Sequence, residues 1–223
     1  FASEASPNAA VTQAQRTEAV IKLIGQVKER GDRIMLVGHS LGGLTVSAVA
    51  EQLDEPADAL VYLAAFMLPP AMPALAMIQH QRMAGEAVAP LFLADPGAVG
   101  ALRLDPASED PGYRAKLRSA FYGDLSDGDA DQQLLHLHCD EPAAVVVEPS
   151  PISAAGFGRQ PRHYIRCTQD KAIPLAGQDF MIESVDAALS GDTQVMTLNS
   201  SHSPFLSQPQ TLADSLARIA LTL

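Results

Sequence analysis

Basic residues are scarce in this chain of 223 residues: Lys and Arg number 15 against 26 Asp and Glu, a formal net charge of -11. A phosphate-backbone partner is thereby disfavoured, because nucleic-acid binders concentrate positive charge. Cysteine is nearly missing as well. The two present, Cys139 and Cys167, have no Cys-x-x-Cys spacing and cannot form a disulfide framework. They are expected to be small buried hydrophobes in a reducing compartment, which favours the cytoplasm. No apolar run approaches the roughly 18 residues that cross a bilayer, so no membrane span is expected. The opening stretch Phe1 to Val11 lacks the charged and apolar regions of a signal peptide and reads as loop. There is no internal repeat. The length suits one sizeable core, with room for an insertion but not for two full domains.

What the sequence does have is concentrated in Arg33 to Gly43, RIMLVGHSLGG. Ile34 to Val37 is a short apolar run suited to a strand buried on both faces. It ends in Gly38-His39-Ser40-Leu41-Gly42, and Leu44, Val46, Ala48, Val49 and Ala50 then follow a helical pattern. Strand, tight turn with a central serine, then helix is the order a nucleophile elbow requires. Such a turn holds Ser40 in a strained conformation, and Gly38 and Gly42 are expected to be small because side chains there would collide. The helix aims its positive end and first free N–H groups at the serine, and the Leu41 N–H is the candidate oxyanion donor.

Thr12 and Gln15 form a capping-box pattern opening a helix that Gly31 closes, with Val20, Leu23, Ile24 and Val27 on one face. Ala59 to Ala65 reads as a second buried strand. From 68 to 149 prolines and glycines multiply, and Met72, Met77 and Met83 follow Met67 closely; either a pliable apolar wall or simple gap-filling accounts for them. Helices are predicted near Ala71 to Ala84, Asp110 to Phe121 and Asp129 to Leu137. His136, His138, Cys139 and Asp140 do not converge on a helix, and no second ligand cluster exists, so no metal site is expected. Strands follow at Arg162 to Arg166 and Gln194 to Leu198. Between them lies a helix through Met181, Val185 and Leu189. Ser207 and Gln210 suggest a capping box before a last helix with Leu212, Leu216 and Ile219 inward. The prediction is an α/β fold: a mainly parallel sheet flanked by helices, with a core of 1–67 and 150–223 and an inserted helical lid at 68–149.

In such sheets the functional site lies beyond the carboxyl ends of the strands. Ser40, Asp170 and His202 each sit just past one. A serine hydroxyl needs a base within reach, and an imidazole base needs a carboxylate on its other nitrogen. His39 precedes the serine and should point away from it; His80, His136 and His138 fall in the insertion; His163 opens a strand. His202 remains as base and Asp170 as its partner, with Asp140 the alternative acid. The chain order serine, acid, histidine is that of the α/β-hydrolase arrangement.

GHSLGG at 38–43, VYLAAFM at 61–67, CTQDKAIP at 167–174 and SHSPFLSQP at 201–209 resemble the plant methylesterase and hydroxynitrile lyase branch of the α/β-hydrolases, with its bacterial esterase relatives. The resemblance implies a Ser40, His202 and Asp170 triad and a small helical cap over an apolar pocket. It also implies cleavage of a small-molecule carboxylic ester with no metal or organic cofactor. Lyases of this branch carry cysteine after the serine and lysine after the histidine. Here Leu41 and Ser203 stand there, which favours an esterase; a lyase or an inactive ligand-binding fold is the alternative. Phe66, Met67, Phe121 and Phe205 are candidate substrate-binding walls, with plain core packing the competing explanation. Family members begin with further strands and a His-Gly loop that donates a second oxyanion N–H. Roughly fifty to sixty such residues have no counterpart here. A separate N-terminal segment or companion chain completing the sheet is therefore expected beside the elbow strand. Oligomeric state has no signature in the sequence.

Overall fold

A computed structural model describes residues 1–189 and 191–223. Its strands are β1 Met35–Ser40, β2 Ala59–Ala65, β3 Ala101–Arg103, β4 Asp140–Pro142, β5 Arg162–Cys167 and β6 Gln194–Leu198. Its helices are α1 Gln13–Lys28, α2 Gly42–Gln52, α3 Ala74–Ile78, α4 Pro96–Val99, α5 Pro111–Phe121, α6 Asp127–Leu134, α7 Ala144–Val147, α8 Leu175–Ala188, α9 Pro204–Ser207 and α10 Pro209–Ala220. The main sheet has the order β1-β2-β5-β6 with every pair parallel, as the alternation of strands and helices predicts. Among the described residues no helix is long and apolar enough to cross a membrane.

Each residue of β2 is buried, because helices cover both faces. Leu60, Tyr62 and Tyr164 face α1, α2 and α8 through Ile24, Val46, Val49 and Val185. Val61, Leu63 and Ile165 face α10 through Leu212 and Ile219. The elbow strand β1 departs from the predicted two-sided burial: it is an edge strand and Val37 is 44% exposed. The layer built on α10 reaches Met35 at its margin and leaves Val37 bare. At the end of β2, the Tyr164 hydroxyl donates to Ala65 O at 2.7 Å and accepts from Ala65 N at 3.0 Å, bracing the backbone beside the elbow.

Segment 68–149 lies beyond the strand ends and has an apolar cluster of its own around Leu91, Leu104, Leu117 and Leu134. Of the helix predicted over Ala71 to Ala84, only Ala74–Ile78 is α-helical. His80 interrupts it: its ring Nδ1 accepts from Arg82 N and caps a separate 3-10 turn. The helix expected at Asp129 to Leu137 begins earlier, since Ser126 caps it by accepting from Asp129 N. The Ser207–Gln210 capping box is absent, because Ser207 ends α9 and Gln208 with Pro209 starts α10. The antiparallel β3–β4 ribbon carries a buried bidentate pair, Arg103 Nε to Asp140 Oδ1 at 2.7 Å and Nη2 to Oδ2 at 2.6 Å.

Candidate active site

The elbow forms where β1 meets α2. Ser40 has φ 55°, a left-handed conformation that a non-glycine residue adopts only when its surroundings enforce it. The pairing of β1 with β2 shifts register between His39 and Ser40, and Phe66 N donates to Ser40 O at 3.0 Å. A Cβ on Gly38 would lie 2.7 Å from Val46 Cγ2, so glycine is required there. Gly42 is different from expectation: a Cβ there meets nothing within 4 Å. The second steric requirement falls on Gly43, whose Cβ would overlap the Phe66 carbonyl oxygen. Leu41 caps α2, and its N–H belongs to the free donors at the positive end of that helix.

Asp170 and His202 come from the turns after β5 and β6. Asp170 Oδ1 accepts from Ala172 N at 2.7 Å and Ile173 N at 2.9 Å. Asp170 Oδ2 lies 2.8 Å from His202 Nδ1, and the His202 and Asp170 side chains are 1% and 0% exposed. An ionised carboxylate only accepts, so Nδ1 carries the proton and Nε2 is the basic nitrogen. Nε2 is buried and has no hydrogen-bond partner among the described residues. The structure therefore brings Asp170 and His202 together, with Ser40 at the end of β1, separated from β5 by β2; Ser40 Oγ and His202 Nε2 are not hydrogen-bonded. Catalytic hydrogen bonds often tighten only when substrate is present.

Three supporting residues escaped the sequence reading. Gln178, fully buried on α8, holds the end of β5 by accepting from Cys167 N and donating to Cys167 O and Ile173 O. His39 does not simply point away. Its Nε2–H donates to the His202 carbonyl at 2.8 Å, its ring lies 4.4 Å from the His202 ring, and Phe205 meets it edge-on at 5.0 Å. Burial and then the neighbouring His202 push its pKa down to about 3, so His39 is neutral. Asp124, from the turn after α5, accepts from the backbone N and hydroxyl of Ser201. The His39 and Asp124 contacts join positions 163 and 77 residues apart, while those of Gln178 span 11 and 5; no sequence pattern announces any of them.

A cavity of about 560 Å³ opens above Ser40 and Leu41. Phe66, Met83, Phe92, Leu102, Phe121 and Ile173 form its apolar wall. Its rim is polar, with Glu86, His136, His138 and the Arg16–Glu141 ion pair at 2.6 Å. Two of the four candidate wall residues thus line the cavity, Phe66 and Phe121. Met67, one step past Phe66, points the opposite way into the main core and is fully buried. Phe205 packs on His39 outside the wall and is 42% exposed. Cys139 lines the cavity, while burial pushes the Cys167 thiol up to about 12. Among the described residues no group of three or more His, Cys, Asp or Glu is gathered where it could hold a metal ion.

A parallel sheet whose strand ends present an elbow serine and a buried imidazole–carboxylate pair defines an α/β-hydrolase. The chain belongs to the alpha/beta hydrolase family, whose model matches residues 3–215. It is 29% identical over 197 residues to the putative chloroplastic methylesterase 11 of Arabidopsis thaliana, covering 85% of this chain and 47% of that protein. It is 28% identical over 195 residues to the pyrethroid hydrolase of Sphingobium wenxiniae, covering 83% and 63%. A crystal structure of a pyrethroid hydrolase shares the fold with a TM-score of 0.73 at 23% identity, over 95% of this chain and 79% of that one. The chain thus spans less than two thirds of the length of either of these two relatives. The methylesterase-branch resemblance carried by the four motifs is borne out by these matches.

Proposed function

We propose that the chain carries the catalytic machinery of a serine carboxylesterase acting on an ester with a bulky apolar part. The single observation behind this is the buried His202 ring, held through Nδ1 by Asp170 and offering an unoccupied Nε2 beside the elbow of Ser40. Ser40 Oγ attacks the ester carbonyl as Nε2 takes its proton, and the Leu41 N–H stabilises the oxyanion. Collapse expels the alcohol, which receives the proton from His202. Water, activated by the same nitrogen, then releases the acid from the acyl-enzyme. Asp170 orients the ring throughout and stabilises the imidazolium.

The relatives named methylesterase and pyrethroid hydrolase support ester cleavage, and the apolar wall supports a hydrophobic substrate. Segment 68–149 serves as the lid, supplying Met83, Phe92, Leu102 and Phe121 to that wall. Among the described residues the outer edge of β1 pairs with no other strand, so it is open to backbone hydrogen bonding. The test is release of p-nitrophenol from medium-chain p-nitrophenyl esters. Turnover that Ser40→Ala abolishes supports the esterase; turnover retained in that variant, or none in the native chain, refutes it.

A further inference from the structure

His202 is held at more than its ring. Its carbonyl receives the His39 Nε2–H at 2.8 Å, and its Nδ1–H reaches Asp170. The peptide on its other side is fixed by one carboxylate: Asp124 Oδ2 accepts from Ser201 N at 3.0 Å and Asp124 Oδ1 accepts from the Ser201 hydroxyl. Two bonds to one rigid group fix both position and orientation of the residue that immediately precedes the imidazole. Ser201 is 2% exposed, so water offers no equivalent partner. Burial raises the Asp124 carboxyl, and hydrogen bonding, led by the two Ser201 donors and joined by Ser207 and its own backbone, more than offsets it and holds it below the usual carboxylate range.

Of these three anchors, Asp124 alone comes from segment 68–149. The same end of α5 sets Phe121 against the His202 ring at 5.9 Å between centroids, and Ser119 accepts from Lys171 Nζ at 2.8 Å, next to Asp170. One helix end therefore touches both loops that carry the acid and the base. We propose that Asp124 is a positioning residue for the reaction: through Ser201 it ties the placement of the His202 imidazole to the seating of the cap. This rests on the esterase reading above. A base moved by about 1 Å loses up to about a hundredfold in rate, whereas the cavity wall that sets substrate affinity would stay as it is.

The experiment compares Asp124→Asn, Ser201→Ala and, as a control in the same segment, Glu109→Gln, which alters an exposed carboxylate ahead of α5. Asp124→Asn is expected to lower kcat by about tenfold or more with KM within about twofold. Ser201→Ala keeps the backbone N–H bond and should lose a few-fold, about threefold, in kcat. Glu109→Gln should match the native chain. In proton NMR the low-field signal of the His202–Asp170 hydrogen bond should broaden or vanish in Asp124→Asn and persist in Glu109→Gln. Native kcat with an unchanged signal in Asp124→Asn overturns the proposal, as does an equal loss in Glu109→Gln. Should Asp124→Asn fail to fold, Ser201→Ala decides: an unchanged kcat and signal overturn the proposal. If the native chain hydrolyses no ester, the esterase reading fails, and the His202 signal still reports whether Asp124 sets the imidazole.

Discussion

The Nδ1 of His202 and Oδ2 of Asp170 meet at 2.8 Å across the turns that follow the adjacent strands β5 and β6. The other Asp170 oxygen is occupied by Ala172 N and Ile173 N, so the carboxylate cannot swing and its free oxygen is dedicated to the imidazole. Asp170→Asn retains the shape but offers an N–H where an acceptor is needed, which favours the wrong histidine tautomer. The expected loss in kcat is about 10³- to 10⁴-fold, with KM little changed. Steady-state ester hydrolysis measures it, and a loss under about threefold would contradict the assignment.

His39 makes stability depend on pH. Its pKa is about 3 in the folded chain against 6.5 when exposed, through burial first and His202 second. A depressed folded pKa means that the unfolded chain binds the proton first as pH falls. The stabilisation is complete above pH 6.5 and is lost toward pH 3, at up to about 1.4 kcal/mol per pH unit. Between pH 7 and pH 5 the native chain should lose about 2 kcal/mol more than His39→Gln in urea denaturation. Parallel pH dependence in the two proteins would refute this. The Asp140 carboxyl, held at about 2 mainly by its hydrogen bonds to Arg103, acts only below that window.

Neighbouring glycines at the elbow should respond differently to the same substitution. Gly43→Ala drives a methyl into the Phe66 carbonyl and should destabilise the chain by about 1–3 kcal/mol. Gly42→Ala enters open space in the first turn of α2, where alanine is the better helix former by up to about 1 kcal/mol, so stability should hold or rise. Chemical denaturation of both variants is the check; equal effects would mean the elbow packs otherwise.

Arg103 joins the start of the chain to the β3–β4 ribbon. Beyond its pair with Asp140, its Nη1 donates to the carbonyls of Phe1 at 2.5 Å and Glu4 at 2.7 Å. Arg103→Ala leaves the buried Asp140 charge uncompensated and should cost about 3–5 kcal/mol. It should also release the first residues to limited proteolysis, while Arg103→Met with Asp140→Leu recovers part of the loss. Native stability and protection in Arg103→Ala would contradict the role given to this pair.

The elbow was legible because its determinants are local: glycine, serine and the change from apolar strand to helix lie within eleven residues. The positions after β5 and β6 were legible because a parallel sheet sends its strand ends to one rim. Other features depend on contacts that spacing does not encode. Gly42 and Gly43 differ only in which one faces Phe66 O. Phe66 lines the cavity and Met67 the core because the two side chains diverge just past the end of β2, where no periodic pattern applies. The helix over Ala71 to Ala84 was overextended because a histidine ring accepting a backbone bond carries no periodic signal. Asp124, Gln178 and the contact of His39 with His202 exist only once the chain has closed.

The central claim is that Ser40 is the group His202 activates, and covalent labelling addresses it most directly. Treated with a serine-directed phosphonate at neutral pH, the native chain should gain one adduct, mapped by peptide mass spectrometry to Ser40. His202→Ala should react far more slowly and Ser40→Ala not at all. An adduct on another residue, or labelling indifferent to His202, would contradict the account.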